Sequence, residues 1–268
     1  MEPKPPGWSD THAAMFRYPS AAANYRYRPP YPVETLDLLA LLAARGAVLD
    51  AGCGPGDLGR ALAPGVERVD AVDVSAAMIA AGRLADGGSA PNLHWIEARI
   101  EDAPLDPPYS LVVAGDSVHW FDWEAALPRL AHSLAERGLL AVADRAWVLP
   151  AETKALLEPI YARHGNPDFA PLDPVHELER RGLFARLGRH ESPSTPWRPT
   201  LDELLGHHHS MSGFVVERLE DPTRFDAEIT AAVAPLPRDD NGRFELVMRA
   251  TVTWGRPLAA TMCSDLET

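Results

Sequence analysis

The sequence has few cysteines and no long hydrophobic run. Two cysteines among 268 residues cannot form the disulfide framework of a small secreted domain, so a reducing compartment, the cytoplasm, is expected. No run approaches the roughly 18 apolar residues that a membrane-spanning helix needs. The first ten residues also lack the apolar stretch of a signal peptide. The sequence therefore predicts a cytoplasmic protein with no membrane association.

Basic residues are fewer than acidic residues, and this balance limits the kinds of partner that the protein can bind. Lys and Arg number 25 against 38 Asp and Glu, which gives a net charge of −13 with histidines neutral. Lys4 and Lys154 are the only lysines, and the arginines are scattered along the chain. Such a chain repels nucleic-acid phosphates unless it carries a local basic stripe. We therefore expect a small-molecule partner and no nucleic acid.

Hydrophobic residues make up 46% of the chain, enough for a sizeable core, and they mark alternating strands and helices. Strands are predicted at 47–51, 69–74, 93–96, 111–114 and 139–143, with Gly138 separating the helix 123–135 from the last of them. This order predicts a parallel sheet with helices on both faces. Farther along, a strand near 183–189 and a long strand at 243–254 should form an antiparallel pair.

The most informative segment is VLDAGCGPGDLG, from Val48 to Gly59. A predicted strand enters a loop with glycines at 52, 54 and 56, and a helix follows. Such a loop lets a ligand lie against bare backbone, and the helix N-terminus offers N–H groups to an anion. Asp73 ends the next strand, where a carboxylate can accept hydrogen bonds from both hydroxyls of a ribose. The alternative is a tight turn beside a surface acid, with no ligand.

Two ligands compete for this segment. Read from Gly54, the letters GPGDLG match the dinucleotide fingerprint G-x-G-x-x-G, which is typical of an NAD(P)-dependent oxidoreductase. Read from Asp50, they are D-x-G-x-G-x-G. An acid at Asp50 is of no use to a pyrophosphate but suits a ligand with a primary ammonium group. S-adenosylmethionine carries an ammonium, a carboxylate and a ribose, and the segment has a complement for each.

The sequence resembles the class I S-adenosylmethionine-dependent methyltransferases, and most of all the small-molecule branch similar to ubiquinone/menaquinone and trans-aconitate methyltransferases. The matching stretches are VLDAGCGPG (48–56), VDAVDVSAAMI (69–79), IEDAPL (100–105), LVVAGDSVHWFDW (111–123) and the turn and strand that begin at Gly138. The resemblance implies methyl transfer from S-adenosylmethionine to a small-molecule acceptor, yielding S-adenosylhomocysteine. A non-methylating reaction with the same cofactor, such as cyclisation, remains an alternative.

The resemblance also implies a Rossmann-like methyltransferase fold. We expect a doubly wound, mostly parallel seven-stranded sheet with an antiparallel C-terminal strand pair and a helical cap insertion. No segment between elements is long enough for a flexible linker, so one domain over 1–268 is expected. Its parts are an N-terminal arm or lid and helix (1–45), a cofactor-binding core (46–190), a cap insertion (191–241), and the last strand and tail (242–268).

The resemblance implies contacts for each part of the cofactor. They are Asp50, Gly52, Cys53, Gly54 and Gly56 at the methionine part; Asp73, Val74 and Met78 at the ribose and adenine; Ile100, Glu101 and Asp102 at the adenine amino edge; and Asp116, Ser117 and Val118 over the sulfonium. Arg99 stands where relatives often have an acid or a small residue. The adenine partner is therefore open between Glu101 and Asp102.

Acceptor chemistry is expected just past the fourth strand, where His119 is the candidate catalytic residue. An imidazole there could take a proton from an attacking hydroxyl or amine. Because a sulfonium is already an activated leaving group, we expect His119 to position the acceptor instead. Other candidates for substrate contact are Tyr25, Arg28, Trp120 and Trp147.

The run His207-His208-His209 does not predict a metal site. Successive residues of a helix point about 100° apart, so the three rings cannot converge on one ion. An exposed or pocket-rim helix end is expected, and no metal.

Overall fold

The computed structural model describes residues 4, 8, 14–165 and 173–258. Eight strands form one sheet: β1 (Val48–Ala51), β2 (Val69–Asp73), β3 (Leu93–Glu97), β4 (Tyr109–Gly115), β5 (Leu134–Val148), β6 (Phe184–Glu191), β7 (Thr195–Trp197) and β8 (Leu246–Pro257). The order is β3-β2-β1-β4-β5-β8-β6, and β7 also pairs with β8. Strands β1 to β5 are parallel, and β8 is antiparallel to β5, β6 and β7. The mostly parallel sheet and its antiparallel C-terminal strands confirm the predicted fold class.

The α-helices cover the sheet and build the cap. They are α1 (Pro19–Tyr25), α2 (Val33–Ala43), α3 (Asp57–Leu62), α4 (Ala76–Leu84), α5 (Trp123–Ser133), α6 (Ala151–His164), α7 (Pro174–Arg180), α8 (Leu201–His209) and α9 (Pro222–Val233). Short 3₁₀ turns lie at Ala14–Arg17, Ala63–Gly65, Val118–Trp120, Ser212–Phe214 and Val216–Arg218. Within the described residues, no helix is long and apolar enough to cross a membrane.

The sheet differs from the expectation by one short strand. Seven strands were expected, but β7 adds an eighth from within the predicted cap, pairing Thr195, Pro196 and Trp197 with the start of β8. Pro196 cannot donate a ladder hydrogen bond, which is tolerated where a strand has a neighbour on one side only. Because this segment is rich in proline, the sequence pattern did not predict a strand there.

The boundary between α5 and β5 also differs. The helix ends at Ser133 and the strand begins at Leu134, so Gly138 lies inside β5 and does not separate two elements. A Cβ atom at Gly138 would lie 2.6 Å from the carbonyl oxygen of Tyr109. The glycine thus allows close approach of β4, at the point where the β4–β5 register shifts.

Alternate residues of the central strands enter separate hydrophobic clusters. Leu49 and Val112 belong to one cluster, whereas Val48 and Leu111 belong to another, as expected for side chains that point to opposite faces of a sheet. A third cluster joins the cap to α6 and β8 and includes Leu157, Phe214, Phe225, Ile229 and Met248. The cap is therefore packed by a core of its own above the carboxyl end of β5.

Candidate functional site

The glycine loop leaves β1 through backbone conformations that favour glycine. Gly52, Gly54 and Gly56 have φ values of 67°, 56° and 75°, a left-handed region that costs other residues roughly 1–2 kcal/mol. A Cβ atom at Gly52 would lie 2.7 Å from Cβ of Ser117, and one at Gly56 would lie 2.5 Å from the Trp95 ring. Both the turn and its packing therefore require the absence of a side chain.

Asp73 at the end of β2 is tied to the glycine loop. Its Oδ2 accepts a 2.8 Å hydrogen bond from the backbone N–H of Gly54, and its Oδ1 accepts one of 2.8 Å from that of Ser75. Burial raises the pKa of this carboxyl, while the backbone N–H bonds oppose the shift. Each carboxylate oxygen can accept a further hydrogen bond, so the group is held in place with acceptor capacity to spare.

A cavity of about 270 Å³ lies between this loop and the N-terminal arm. Its wall includes the predicted cofactor contacts Gly52, Gly54, Asp73, Val74, Met78, Ile100, Glu101, Asp116 and Ser117, and the predicted substrate contacts Tyr25, Arg28 and Trp120. The wall also contains Phe16, Arg17 and Arg99, which were not among the predicted contacts. Residues from the ends of β1, β2 and β4 thus meet at one edge of the sheet, where open α/β sheets bind ligands.

Some predicted contacts lie outside this wall: Asp50, Cys53, Gly56, Asp102 and Val118. Asp50 is buried behind the loop, where its Oδ2 accepts a 2.8 Å hydrogen bond from the N–H of Gly59 in α3. Burial raises its pKa to about 7. The structure thus places Asp50 as a support of the loop and not as a group facing a ligand.

The lining of this cavity distinguishes the two candidate adenine partners, Glu101 and Asp102. Glu101 lines the cavity and Asp102 does not. The carboxylate of Glu101 accepts hydrogen bonds from the backbone N–H of Asp122, at 2.7 Å, and from Nε of Arg99, at 3.3 Å. Glu101 is therefore the carboxylate available at this end of the cavity.

A second cavity of about 780 Å³ adjoins the first and shares Phe16, Arg28, Asp116 and Trp120 with it. His119 and Trp147 line this larger cavity. The His119 ring centroid lies 4.3 Å from that of Trp120 and 5.8 Å from that of Trp8. Burial lowers the pKa of His119 to about 4, so its imidazole is neutral near pH 7.

Arg145 in β5 was not among the predicted site residues, yet its side chain hydrogen-bonds to several parts of the site. Its Nε donates to Oδ2 of Asp116 at 2.9 Å, and its other nitrogens donate to the Pro29 carbonyl, to Asp57 and to Tyr25. Its side chain is 4% exposed. One feature of the sequence could have identified Arg145: it is a charged residue just past the carboxyl end of a predicted buried strand.

Arg28 fastens the N-terminal arm to the cap. Its Nε donates to Oγ of Ser210 at 3.0 Å, and a terminal nitrogen donates to the Ser210 carbonyl at 2.8 Å. The guanidinium also lies 4.3 Å from the centroid of the Tyr25 ring. Arg28 therefore holds the arm against the end of α8 beside both cavities.

An exposed or pocket-rim helix end was expected for the three histidines of α8. All three are buried, so the exposed alternative was wrong, whereas His207 does line the larger cavity. His208 contacts the Leu204 carbonyl and the Tyr161 hydroxyl, and His209 contacts Asp226. The packing of α8 against α6 and against α9 of the cap explains their burial. Across the described part of the chain, no cluster of side chains could hold a metal ion.

Comparison with known proteins relates this arrangement to methyltransferases. Residues 48–138 match a family described as a methyltransferase domain. The chain is 34% identical over 137 residues to malonyl-[acyl-carrier protein] O-methyltransferase from Enterobacter lignolyticus, covering 49% of this chain and 53% of the relative. It is 35% identical over 125 residues to trans-aconitate 2-methyltransferase from Methylobacterium nodulans, covering 45% of each protein. The chain thus spans about half the length of these curated relatives.

A solved structure extends the similarity over most of the fold. A candidate type II methyltransferase from Anaeromyxobacter dehalogenans has a TM-score of 0.62 and 25% identity, covering 85% of this chain and 97% of that one. The matched family segment contains the glycine loop, Asp73 and the stretch from β4 into α5. Residues 48–138 thus match a methyltransferase domain, and the fold as a whole is similar to that of this solved structure.

Proposed function

We propose that this protein transfers a methyl group from S-adenosylmethionine to a small-molecule acceptor, leaving S-adenosylhomocysteine. One observation carries the proposal. The cavity formed by the glycine loop and Asp73 adjoins a larger cavity, and Asp116 and Trp120 belong to both. A methyl donor in the first cavity and an acceptor in the second would meet at these two residues.

The residues of the first cavity fit the cofactor. Gly52 and Gly54 present backbone without side chains, and Asp73 has acceptor capacity for ribose hydroxyls. Val74, Met78 and Ile100 give an apolar slot for adenine, next to Glu101. When bound, S-adenosylmethionine would supply a methyl group on an activated sulfonium.

The chain's own contribution is orientation and the exclusion of water. Displacement at a methyl carbon requires the nucleophile, carbon and sulfur to be in line, and a fixed approach in a closed site supplies much of the rate. The N-terminal arm closes over the site through Tyr25 and Arg28. His119 lies in the wall of the larger cavity as a neutral ring that orients the acceptor.

The compartment and the acceptor class are also proposals. A reducing compartment, the cytoplasm, is supported by the two-cysteine sequence and by the buried free thiol of Cys53. The curated relatives are named for malonyl-[acyl-carrier protein] and trans-aconitate. A small acceptor is the class we propose, and its mass should increase by one CH₂ unit on methylation.

Calorimetric titration with S-adenosylhomocysteine and, separately, with NADH tests the cofactor. We expect S-adenosylhomocysteine to bind and NADH to give no heat of binding. Binding of NADH without S-adenosylhomocysteine would instead support the oxidoreductase alternative. Incubation of the protein and S-adenosylmethionine with a metabolite extract, followed by mass spectrometry, then tests for a methylated product. An unmethylated, rearranged product would support the non-methylating alternative.

A further inference from the structure

The wall of the larger cavity is rich in aromatic rings. Its rings come from the N-terminal arm, the turn after β4, the end of β5, α6 and the cap: Phe16, His119, Trp120, Trp147, Tyr161 and Phe214. The cavity volume of about 780 Å³ lies within the range of small-molecule sites, roughly 300–1,000 Å³. Aromatic walls bind flat apolar ligands through stacking and edge contacts. The size and lining of the cavity therefore favour an acceptor with an aromatic body.

The charges in this wall are already paired. Its charged residues among those described are Arg28, Asp116 and Arg145. Arg145 forms ion pairs with Asp116 and with Asp57, at 2.9 and 3.0 Å. Arg28 donates to Ser210 and lies 3.9 Å from Asp116. A carboxylate acceptor would have to compete with Asp116 and Asp57 for these two cations.

His207 contributes a buried polar atom to this wall that has no hydrogen-bond partner among the described residues. It is 8% exposed, its ring lines the cavity, and its Nδ1 has no hydrogen-bond partner among the described residues. The adjacent His208, by contrast, is paired at both ring nitrogens. Burial, His208 and the two arginines lower the pKa of His207 well below its usual value. The ring is therefore a neutral hydrogen-bonding group, and leaving it unpaired is costly.

We propose that the larger cavity is the acceptor subsite and that it selects an uncharged aromatic molecule anchored to the imidazole of His207 by a hydroxyl or amino group. This inference rests on the proposed methyl transfer, since it assigns the acceptor for the same site. The aromatic body fills the space between Trp147 and Trp120, and the atom to be methylated lies where the two cavities meet. His207 thus acts as a specificity residue and not as a proton carrier.

Three matched probes test the acceptor chemistry by calorimetry on protein saturated with S-adenosylhomocysteine. They are 4-phenylphenol, its methyl ether 4-methoxybiphenyl, and biphenyl-4-carboxylate. We expect 4-phenylphenol to bind at least tenfold more tightly than the carboxylate and about fivefold more tightly than the ether, which cannot donate. Equal or tighter binding of the carboxylate would overturn the charge argument.

Variants then test His207. In His207→Leu, the preference for 4-phenylphenol over its ether should fall toward one, while the affinity for S-adenosylhomocysteine stays within twofold. His207→Asn, which retains a hydrogen-bonding group, should restore part of the preference. The same change at the exposed His190 on β6, His190→Leu, is the control and should leave the preference unchanged. An unchanged preference in His207→Leu would overturn the role of this residue.

The outcomes of these experiments distinguish a failure of the proposed function from a failure of the acceptor inference. If S-adenosylhomocysteine does not bind the wild-type protein, the proposed function fails. If it binds and 4-phenylphenol does not, the function stands and the acceptor inference fails. If a misfolded His207→Leu protein is obtained, as judged by its circular dichroism, His207→Asn and the three probes on the wild-type protein still decide the inference.

Discussion

The carboxylate of Asp116 and the guanidinium of Arg145 form an ion pair where the two cavities meet. Nε of Arg145 lies 2.9 Å from Oδ2 of Asp116, and the backbone N of Arg145 lies 3.2 Å from Oδ1. Asp116 has a φ of 50°, a conformation that costs a residue other than glycine of order 1–3 kcal/mol. The two hydrogen bonds from β5 hold this strained turn beside the site.

Replacing Arg145 should therefore destabilise the protein. In Arg145→Met, the carboxylates of Asp116 and Asp57 lose a buried cationic partner. Removal of one member of a buried ion pair typically costs about 3–5 kcal/mol, and we expect the lower end because Asp116 is 18% exposed. Urea denaturation measures the change. Arg249→Met removes an arginine whose partner Glu191 is exposed, and this control should change stability by less than ~1 kcal/mol.

Asp73 should govern cofactor affinity. Each charge-assisted hydrogen bond from a ribose hydroxyl is worth about 1.5–3 kcal/mol, and 1.4 kcal/mol corresponds to tenfold in affinity. Asp73→Ala should thus weaken S-adenosylhomocysteine binding at least tenfold in a calorimetric titration. Asp73→Asn keeps an oxygen for the Gly54 N–H and should fall between the alanine variant and the wild type. Unchanged affinity in both would rule out the ribose contact.

His119 should matter for positioning and not for proton transfer. Because burial lowers the pKa of its imidazole to about 4, the ring is neutral from about pH 5 upward and is a weak base. His119→Ala should raise KM for the acceptor and lower kcat by less than about tenfold, and the pH profile should lose no inflection near neutrality. His132→Ala, at an exposed histidine of α5, is the control. A loss of 10²–10⁴-fold in kcat, together with a missing inflection, would identify His119 as a general base.

Local sequence patterns predicted the cofactor end of the site. A glycine loop after a strand and an acid at the end of the next strand are arranged over short stretches of chain. The structure has both as expected, joined by the hydrogen bond from the N–H of Gly54 to Oδ2 of Asp73. The strands β1 to β5 were likewise marked by short apolar runs.

Long-range pairings could not be predicted in this way. Arg28 and Ser210 are 182 residues apart in the chain, and Asp116 and Arg145 are 29 apart. Nothing in their local sequence specifies a partner, because each contact depends on how the arm, the cap and β5 pack together. The burial of His207 likewise depends on this packing and not on its local sequence. The acceptor end of the site therefore required the tertiary structure.

Gly56 and Gly242 form a matched pair that separates backbone strain from packing. Both have a φ of 75°. A Cβ atom at Gly56 would lie 2.5 Å from Trp95, whereas one at Gly242 meets no atom within 4 Å. Gly242→Ala should cost about 1 kcal/mol through strain alone. Gly56→Ala should cost more in thermal or urea denaturation and should also weaken S-adenosylhomocysteine binding. Equal costs at the two positions would show that Trp95 yields without penalty.

The carboxyl group of Asp50 should make the free energy of unfolding fall as pH rises. Its pKa is about 7 in the folded state because of burial, against ~3.9 in an unfolded chain. The folded protein therefore holds this proton more tightly, and unfolding is favoured as pH rises from about 4 to about 7. A shift of about three pKa units at ~1.4 kcal/mol each corresponds to about 4 kcal/mol over this window.

Asp50→Asn tests this dependence because an amide oxygen can still accept the hydrogen bond from the Gly59 N–H. The variant cannot ionise, so its free energy of unfolding should decline less between pH 4 and pH 7 than that of the wild type. Part of the decline should remain, since burial also raises the pKa of Asp144 to about 7. At pH 8.5 the variant should be the more stable protein in urea denaturation. Asp240→Asn, at an exposed position, should keep the wild-type slope, and the same slope in Asp50→Asn would mean that the Asp50 carboxyl is ionised in the folded protein throughout this range.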